Sequence, residues 1–169
     1  MAFETDDYTA DVPETAPDAP AVPEGSAFAT LRAERANAAE KVHLELRVPR
    51  WETPVFVRYK APEKKRIQSI LNAAQKKRDH SVTPEAVLLA ENCIGVYEKD
   101  PDGNPIGNPD EWPRFDEALA AYLGVDAKRA VDVVKALFVT EGDITRHSAE
   151  LMTWAGFATG DVDDLYSGN

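Results

Sequence analysis

The groups in this chain most apt for nucleophilic, acid–base or metal chemistry are one cysteine, Cys93, and three histidines, His43, His80 and His147. Closed zinc sites gather such ligands at short, regular spacings. Here they are scattered and share no ligand spacing, so no metal and no cofactor is expected. A single cysteine forms no internal disulfide, which suits a reducing compartment or indifference to redox state. Asp161, Asp163 and Asp164 form a D-x-D-D run. A calcium loop also requires a glycine, a later bidentate glutamate and flanking helices, so the run reads as a solvated tail. Gly95, Gly103, Gly107 and Gly124 are too dispersed to cradle a phosphate ahead of a lysine, and no serine nucleophile signature is present. Any pair of carboxylates working as acid and base would have to be assembled from distant segments. The expectation is therefore a protein with no catalytic residues.

Charge distribution is more informative than total charge. The chain carries a net −11, but residues 1–40 hold nine acids against two bases and residues 91–169 hold sixteen against six. Residues 41–90 reverse the balance, with five acids and eleven bases. Such a middle either docks an acidic partner or neutralises its own flanks. Nucleic-acid binding is not expected, because the protein as a whole is acidic and the segment bearing the Lys/Arg groups lacks aromatic residues for stacking. No apolar run approaches the ~18 to 20 residues that span a bilayer, and the start of the chain lacks the basic and apolar regions of a secretory signal. No membrane association is expected, and the protein reads as soluble and intracellular.

The elements follow from periodicity. The start of the chain, with Pro13, Pro17, Pro20 and Pro23 among alanines and acids, has too little apolar surface to offset chain ordering. Ser26 to Glu40 is rich in helix formers with a thin apolar face, and is either a frayed helix or more of the leader. Val42, Leu44, Leu46 and Val48 alternate with Lys41, His43, Glu45 and Arg47, the period of a strand with one buried face. Val55 to Lys60 is β-branched and aromatic and reads as a second strand, making a hairpin across Arg50–Pro54. His43 falls on its outward face.

Pro62 precedes a helix over Glu63–Arg78, with Ile67, Ile70, Leu71 and Ala74 on one face and Lys64, Lys65, Arg66, Lys76, Lys77 and Arg78 on the others. Thr83 is expected to cap a second helix that runs through Val87, Leu88, Leu89, Ala90, Cys93 and Ile94. Tyr97 to Pro113 is dominated by turn formers, with a reversal at Asp102–Asn104. Three short helices are then expected: Glu117–Leu123 capped by Asp116 and closed by Gly124, Ala127–Phe138 capped by Asp126, and Ile144–Ala155 capped by Asp143. Trp51 and Trp112 lie in turns beside prolines, where aromatics serve either as partner anchors or as lids on a small core.

The fold class read from this pattern is α+β and mostly helical. A two- or three-stranded antiparallel sheet packs against about five short helices. Three regions are expected: a disordered leader over 1–40, a globular domain over 41–158 and a loose acidic tail over 159–169. A lone hairpin is marginal in water, so its open edge is a natural place for a partner strand or a second copy to add.

Taken in order, four blocks carry a resemblance. They are VHLELRVPRWETPVFVRYKAP with the basic helix that follows it, LLAENCIGVYEKDPDG, RFDEALAAYLGVDAKRAVDVVKALF and HSAELMTWAGFATGDVDDLYSGN. This layout, over about residues 41–169, resembles the tail assembly chaperones of long-tailed (siphovirus-type) bacteriophages infecting actinobacteria. The resemblance implies a non-structural factor made in the cytoplasm of the infected host and absent from the mature virion. Its partners would be the tape measure protein, which such chaperones coat, and the tail tube protein, whose polymerisation they assist. A homo-oligomer, or a longer form made by ribosomal frameshifting, is also implied. Client contacts are then expected at the hairpin (Val55, Val57, Tyr59, with Trp51) and at the basic helix (Lys64, Lys65, Arg66). Reversing the charge of those three basic residues should weaken co-purification with the tape measure protein. The rival readings are a virion component, such as a head–tail connector or minor tail protein, and an enzyme whose dispersed site would bring His147, Asp143 or Cys93 into one pocket.

Overall fold

A computed structural model describes residues 23–157. The acidic tail over 159–169 and the first part of the leader lie outside them. Within the leader expected over 1–40, the described part takes the helical one of the two alternatives read for Ser26 to Glu40. Ala27–Lys41 form helix α1, started by Ser26, whose hydroxyl accepts from the Ala29 amide at 3.3 Å. None of its 15 residues is buried.

The packed domain is α+β, and it starts where alternation starts. Strand β1 (Leu44–Arg47) pairs antiparallel with β2 (Val55–Tyr59), placing Leu44 opposite Tyr59 and Leu46 opposite Val57. The turn between them closes with Val48 donating to the Val55 carbonyl at 2.8 Å. Arg50 in that turn has φ of 72°, a left-handed conformation that L-residues adopt at some cost.

A third strand, β3 (Cys93–Glu98), pairs antiparallel with the other side of β2, giving the order β1-β2-β3. This corrects the assignment of Cys93 and Ile94 to a helix. Helix α3 spans Thr83–Asn92 and runs directly into the strand. The run Cys-Ile-Gly-Val-Tyr suits a strand, and pairing gives β2 a hydrogen-bonded neighbour on each side. Without a turn residue at the junction, an apolar run does not announce where a helix becomes a strand. Beyond β3, Asp100–Asn104 make the expected tight reversal. The Asp100 carboxylate accepts from the Asn104 amide at 2.8 Å, and Gly103 takes φ of 83°.

Among the described residues there are six α-helices. Helix α2 (Lys64–Lys77) starts after Pro62 as expected. Two caps differ from expectation in the same way: the residue named as cap already lies inside the helix. Thr83 is the first residue of α3, and its amide is taken by Ser81 Oγ at 3.2 Å. Helix α6 (Glu141–Trp154) is capped by Thr140, whose hydroxyl accepts from the Asp143 amide at 3.2 Å, so Asp143 is not the cap. Helix α4 (Glu117–Leu123) has the expected boundaries, with Asp116 accepting from the Leu119 amide at 3.1 Å and Gly124 closing it at φ of 68°. Helix α5 is shorter than expected. It covers Ala130–Leu137 with no side-chain cap, because Arg129 turns to Asp132 (2.8 Å) and Asp126 stays exposed.

One face of the sheet packs on the helices. Val48, Val55, Val57, Tyr59, Cys93 and Val96 meet Leu89 of α3, Val134 and Leu137 of α5, Phe138, and Ile144 and Leu151 of α6. A smaller cluster joins Ile67, Ile70 and Leu71 of α2 to Leu88 and Met152. Each fully buried Leu, Val or Phe contributes roughly 1.5–3 kcal/mol relative to exposure, so α3 and α6, which both touch the two clusters, tie the domain together.

Candidate partner-binding groove

His43 and His80 are exposed, whereas Cys93 and His147 lie in the core. Tyr59, Cys93 and His147 meet there, at 0%, 4% and 4% exposure, so no substrate reaches them. Burial pushes the Cys93 thiol up to about 12 and the Tyr59 phenol well above its ordinary value, with Cys93 adding to the latter. Burial also lowers His147 to about 4, because its ring stands edge-on between Phe138 (4.7 Å) and Tyr59 (5.4 Å). Among the described residues, neither His147 Nε2 nor the Tyr59 hydroxyl has a hydrogen-bond partner. A thiol held protonated and a neutral imidazole among aromatic rings are poor nucleophile and poor base in this setting. Asp143 goes elsewhere. It takes Arg50 Nε at 2.5 Å, and this bond holds its carboxyl below the usual range, with the Thr140 hydroxyl contributing. That ion pair pins the strained Arg50 turn onto the start of α6.

The register places three of the client contacts expected in the hairpin in the core. Val57 and Tyr59 are fully buried and Val55 is 9% exposed, because β2 is the central strand and these three point at the helices. They have no surface to offer. Trp51 lids the core, with its indole N–H donating to the Leu137 carbonyl at 2.9 Å. Arg66 is engaged by Glu91 through two bonds of 2.8 and 2.5 Å. Lys64 and Lys65 remain exposed on α2.

The opposite face of the sheet carries a constellation that the sequence reading did not foresee. Trp112 stacks on Tyr97 at 4.0 Å, Arg58 lies over both rings (4.9 and 5.3 Å), and Lys99 lies 4.3 Å over Phe56. Glu45 sits at the centre, accepting from the Tyr97 hydroxyl and from Lys99, with Arg58 at 3.7 Å. Gly95 makes room for it, since a Cβ there would stand 2.9 Å from Trp112 Cβ. Trp112 thus acts as a lid. The available signal was the alternation in β2, whose outward positions Phe56 and Arg58 are an aromatic and a cation instead of small polar residues. The rings, Lys99 and Glu45 contact one another across the outer face, while the buried Arg58 Nε has no hydrogen-bond partner among the described residues.

What remains open is the edge of the sheet. On β3 the outer side is partly taken, with the Val96 amide bound to the Pro113 carbonyl (2.7 Å) and the Ile106 amide to the Glu98 carbonyl (2.9 Å). On β1, among the described residues, the outer side has no backbone partner. Beside it runs a groove of about 440 Å³ between β1 and α6, walled by Leu44, Leu46, Ala149, Thr153 and Trp154 and flanked by Arg146 and Glu150. Leu44 and Leu46 are only half-buried there. An unpaired strand edge beside an apolar trough is the local chemistry of polypeptide docking. No helix among the described residues is long and apolar enough to cross a membrane. No protein-family model, no curated protein and no solved structure matches this chain.

Proposed function

We propose that this chain is a non-catalytic tail assembly chaperone of a long-tailed bacteriophage, acting in the host cytoplasm. It binds the tape measure protein and assists polymerisation of the tail tube protein around it. The name rests on the resemblance of the four sequence blocks. The structural observation that favours a polypeptide-binding role is the open β1 edge beside the β1–α6 groove, where an apolar stripe of a client segment can lie. The excess of acids in both ends of the sequence keeps such a complex soluble, and the exposed Lys64 and Lys65 supply basic groups for an acidic client.

The experiment is quantitative mass spectrometry of purified mature particles beside lysate from the same infection. The chaperone reading expects the chain in the lysate and its absence from particles. A fixed copy number per particle would assign it to the virion, as a connector or minor tail protein, and overturn the proposal.

A further inference from the structure

Helix α2 holds Lys64, Lys65, Arg66, Lys76 and Lys77 and no acid in its 14 residues, and Arg78 follows at its C-cap. Lys64, Lys65, Lys76 and Arg78 are exposed. On its inner side, Ile67, Ile70 and Leu71 meet Leu88 and Met152 in the smaller cluster, and Phe157 packs against that cluster. The end of α6 directs the chain there. Gly156 takes φ of 93°, its amide donates to the Thr153 carbonyl at 3.1 Å, and the Phe157 amide donates to the Met152 carbonyl at 3.0 Å. This glycine closure bends the chain back over the last helical turn and brings Phe157 to the core that α2 shares. Phe157 is the last described residue, and the D-x-D-D run of Asp161, Asp163 and Asp164 begins four residues later.

We propose that residues 158–169 dock on the exposed side of α2, placing Asp161, Asp163 and Asp164 among Lys64, Lys65 and Lys76. Reach allows this along the whole helix. Seven extended residues carry Asp164 up to ~23 Å from Phe157, and the 14 residues of α2 span ~21 Å. Charge supplies the attraction, since residues 158–169 contain three acids and no base. Each such ion pair is weak in water. The short tether to Phe157 makes the contact intramolecular, at an effective concentration on the order of millimolar, so weak pairs suffice. The acidic leader is the other source of carboxylates in this chain. It joins the domain at β1 through the 15 residues of α1, and so lacks a short tether to the α2 cluster. With α2 covered, an acidic client reaches Lys64 and Lys65 only by displacing the chain's own tail. That consequence alone rests on the chaperone reading.

Two measurements on the full chain, with no client present, test the docking. Carbodiimide coupling joins an amine to a carboxylate in direct contact, and should link Lys64, Lys65 or Lys76 to Asp161, Asp163 or Asp164. In a mixture of isotope-labelled and unlabelled protein, each linked pair of peptides should carry one isotope only. Acetylation of the same lysines should be ~3-fold or more faster in a variant carrying Asp161→Asn, Asp163→Asn and Asp164→Asn than in wild type, and the difference should vanish in ~0.5 M salt. Lys41 and Lys128, exposed and outside α2, serve as references whose rates stay unchanged. Links to acids of the leader, links between two copies, or no link at all overturn the proposal, as do equal acetylation rates in the two proteins. The coupling uses wild type and decides the matter even where the variant folds poorly. Failure leaves the chaperone reading standing, since no client enters either experiment. Equally, a chain found in mature particles leaves the docking standing.

Discussion

Replacing His147 by Phe should flatten the dependence of stability on pH between about 6.5 and 4.5. In the folded protein the imidazole is wedged between Phe138 and Tyr59, its Nε2 meets no acceptor, and burial holds its pKa at about 4. In the unfolded chain the same group titrates near its ordinary value of about 6.5. Above that pH both states are neutral and His147 contributes no pH dependence. As pH falls below it, the unfolded state takes up a proton that the folded state refuses. Stability then drops by about 1.4 kcal/mol per pH unit until the folded group titrates in turn. Over the two units from 6.5 to 4.5 the loss is about 2–3 kcal/mol, a large share of the stability of a small domain. The assay is urea denaturation of wild type and His147→Phe at matched pH steps, with the difference in unfolding free energy read against pH. Any uniform cost of the larger ring shifts the variant's curve without changing its slope, and carboxylate titrations common to both proteins cancel. Parallel curves would refute the reasoning. They would mean that the ring is hydrated or finds a partner when protonated, and that the core at Tyr59 and Phe138 is looser than its geometry implies.

Other outcomes follow from the same core. Tyr59→Phe removes a buried hydroxyl that has no partner, and should be neutral or stabilising by up to about 1 kcal/mol in denaturant titration. A destabilisation of that size would mean the hydroxyl is hydrogen-bonded. Gly95→Ala puts a methyl 2.9 Å from Trp112 Cβ, and should cost about 1–3 kcal/mol and alter tryptophan fluorescence as the indole leaves Tyr97; an unperturbed spectrum counts against the stack. Cys93, buried and with its thiol raised to about 12, should resist alkylation at pH 8 in the native protein and react fully in urea. Rapid native labelling, followed by mass spectrometry, would show the β3 end of the core to be open.

The regular parts of this fold were legible because local signals agreed with tertiary demands. Asp116, the apolar face of α4 and Gly124 all point to one helix, and its boundaries came out as read. Alternation from Leu44 onward and the β-branched run from Val55 gave the hairpin for the same reason. Legibility failed where a choice depended on a distant partner. Cys93 and Ile94 continue the apolar face of α3 as well as they begin a strand, and only pairing with β2 decides between the two. Asp143 is a good cap in isolation, but Arg50, brought close by the hairpin turn, claims its carboxylate while Thr140 does the capping.

The candidate site was read least well, and the cause is specific. A two-stranded hairpin makes β2 an edge, with Val55, Val57 and Tyr59 near the surface. A third strand makes it central and turns those residues into core. The open edge then moves to β1, and the groove beside it draws on Ala149, Thr153 and Trp154 of a helix about a hundred residues further along. No local pattern reports a surface assembled across that separation.

The most direct test of the account is affinity capture of the tagged full chain from infected cells before lysis, with partners identified by mass spectrometry. The account predicts that the tape measure protein is recovered as the dominant phage partner, and that Ala149→Arg, which obstructs the groove, reduces its yield. Recovery of the chain with capsid or completed tails in place of the tape measure protein would contradict it.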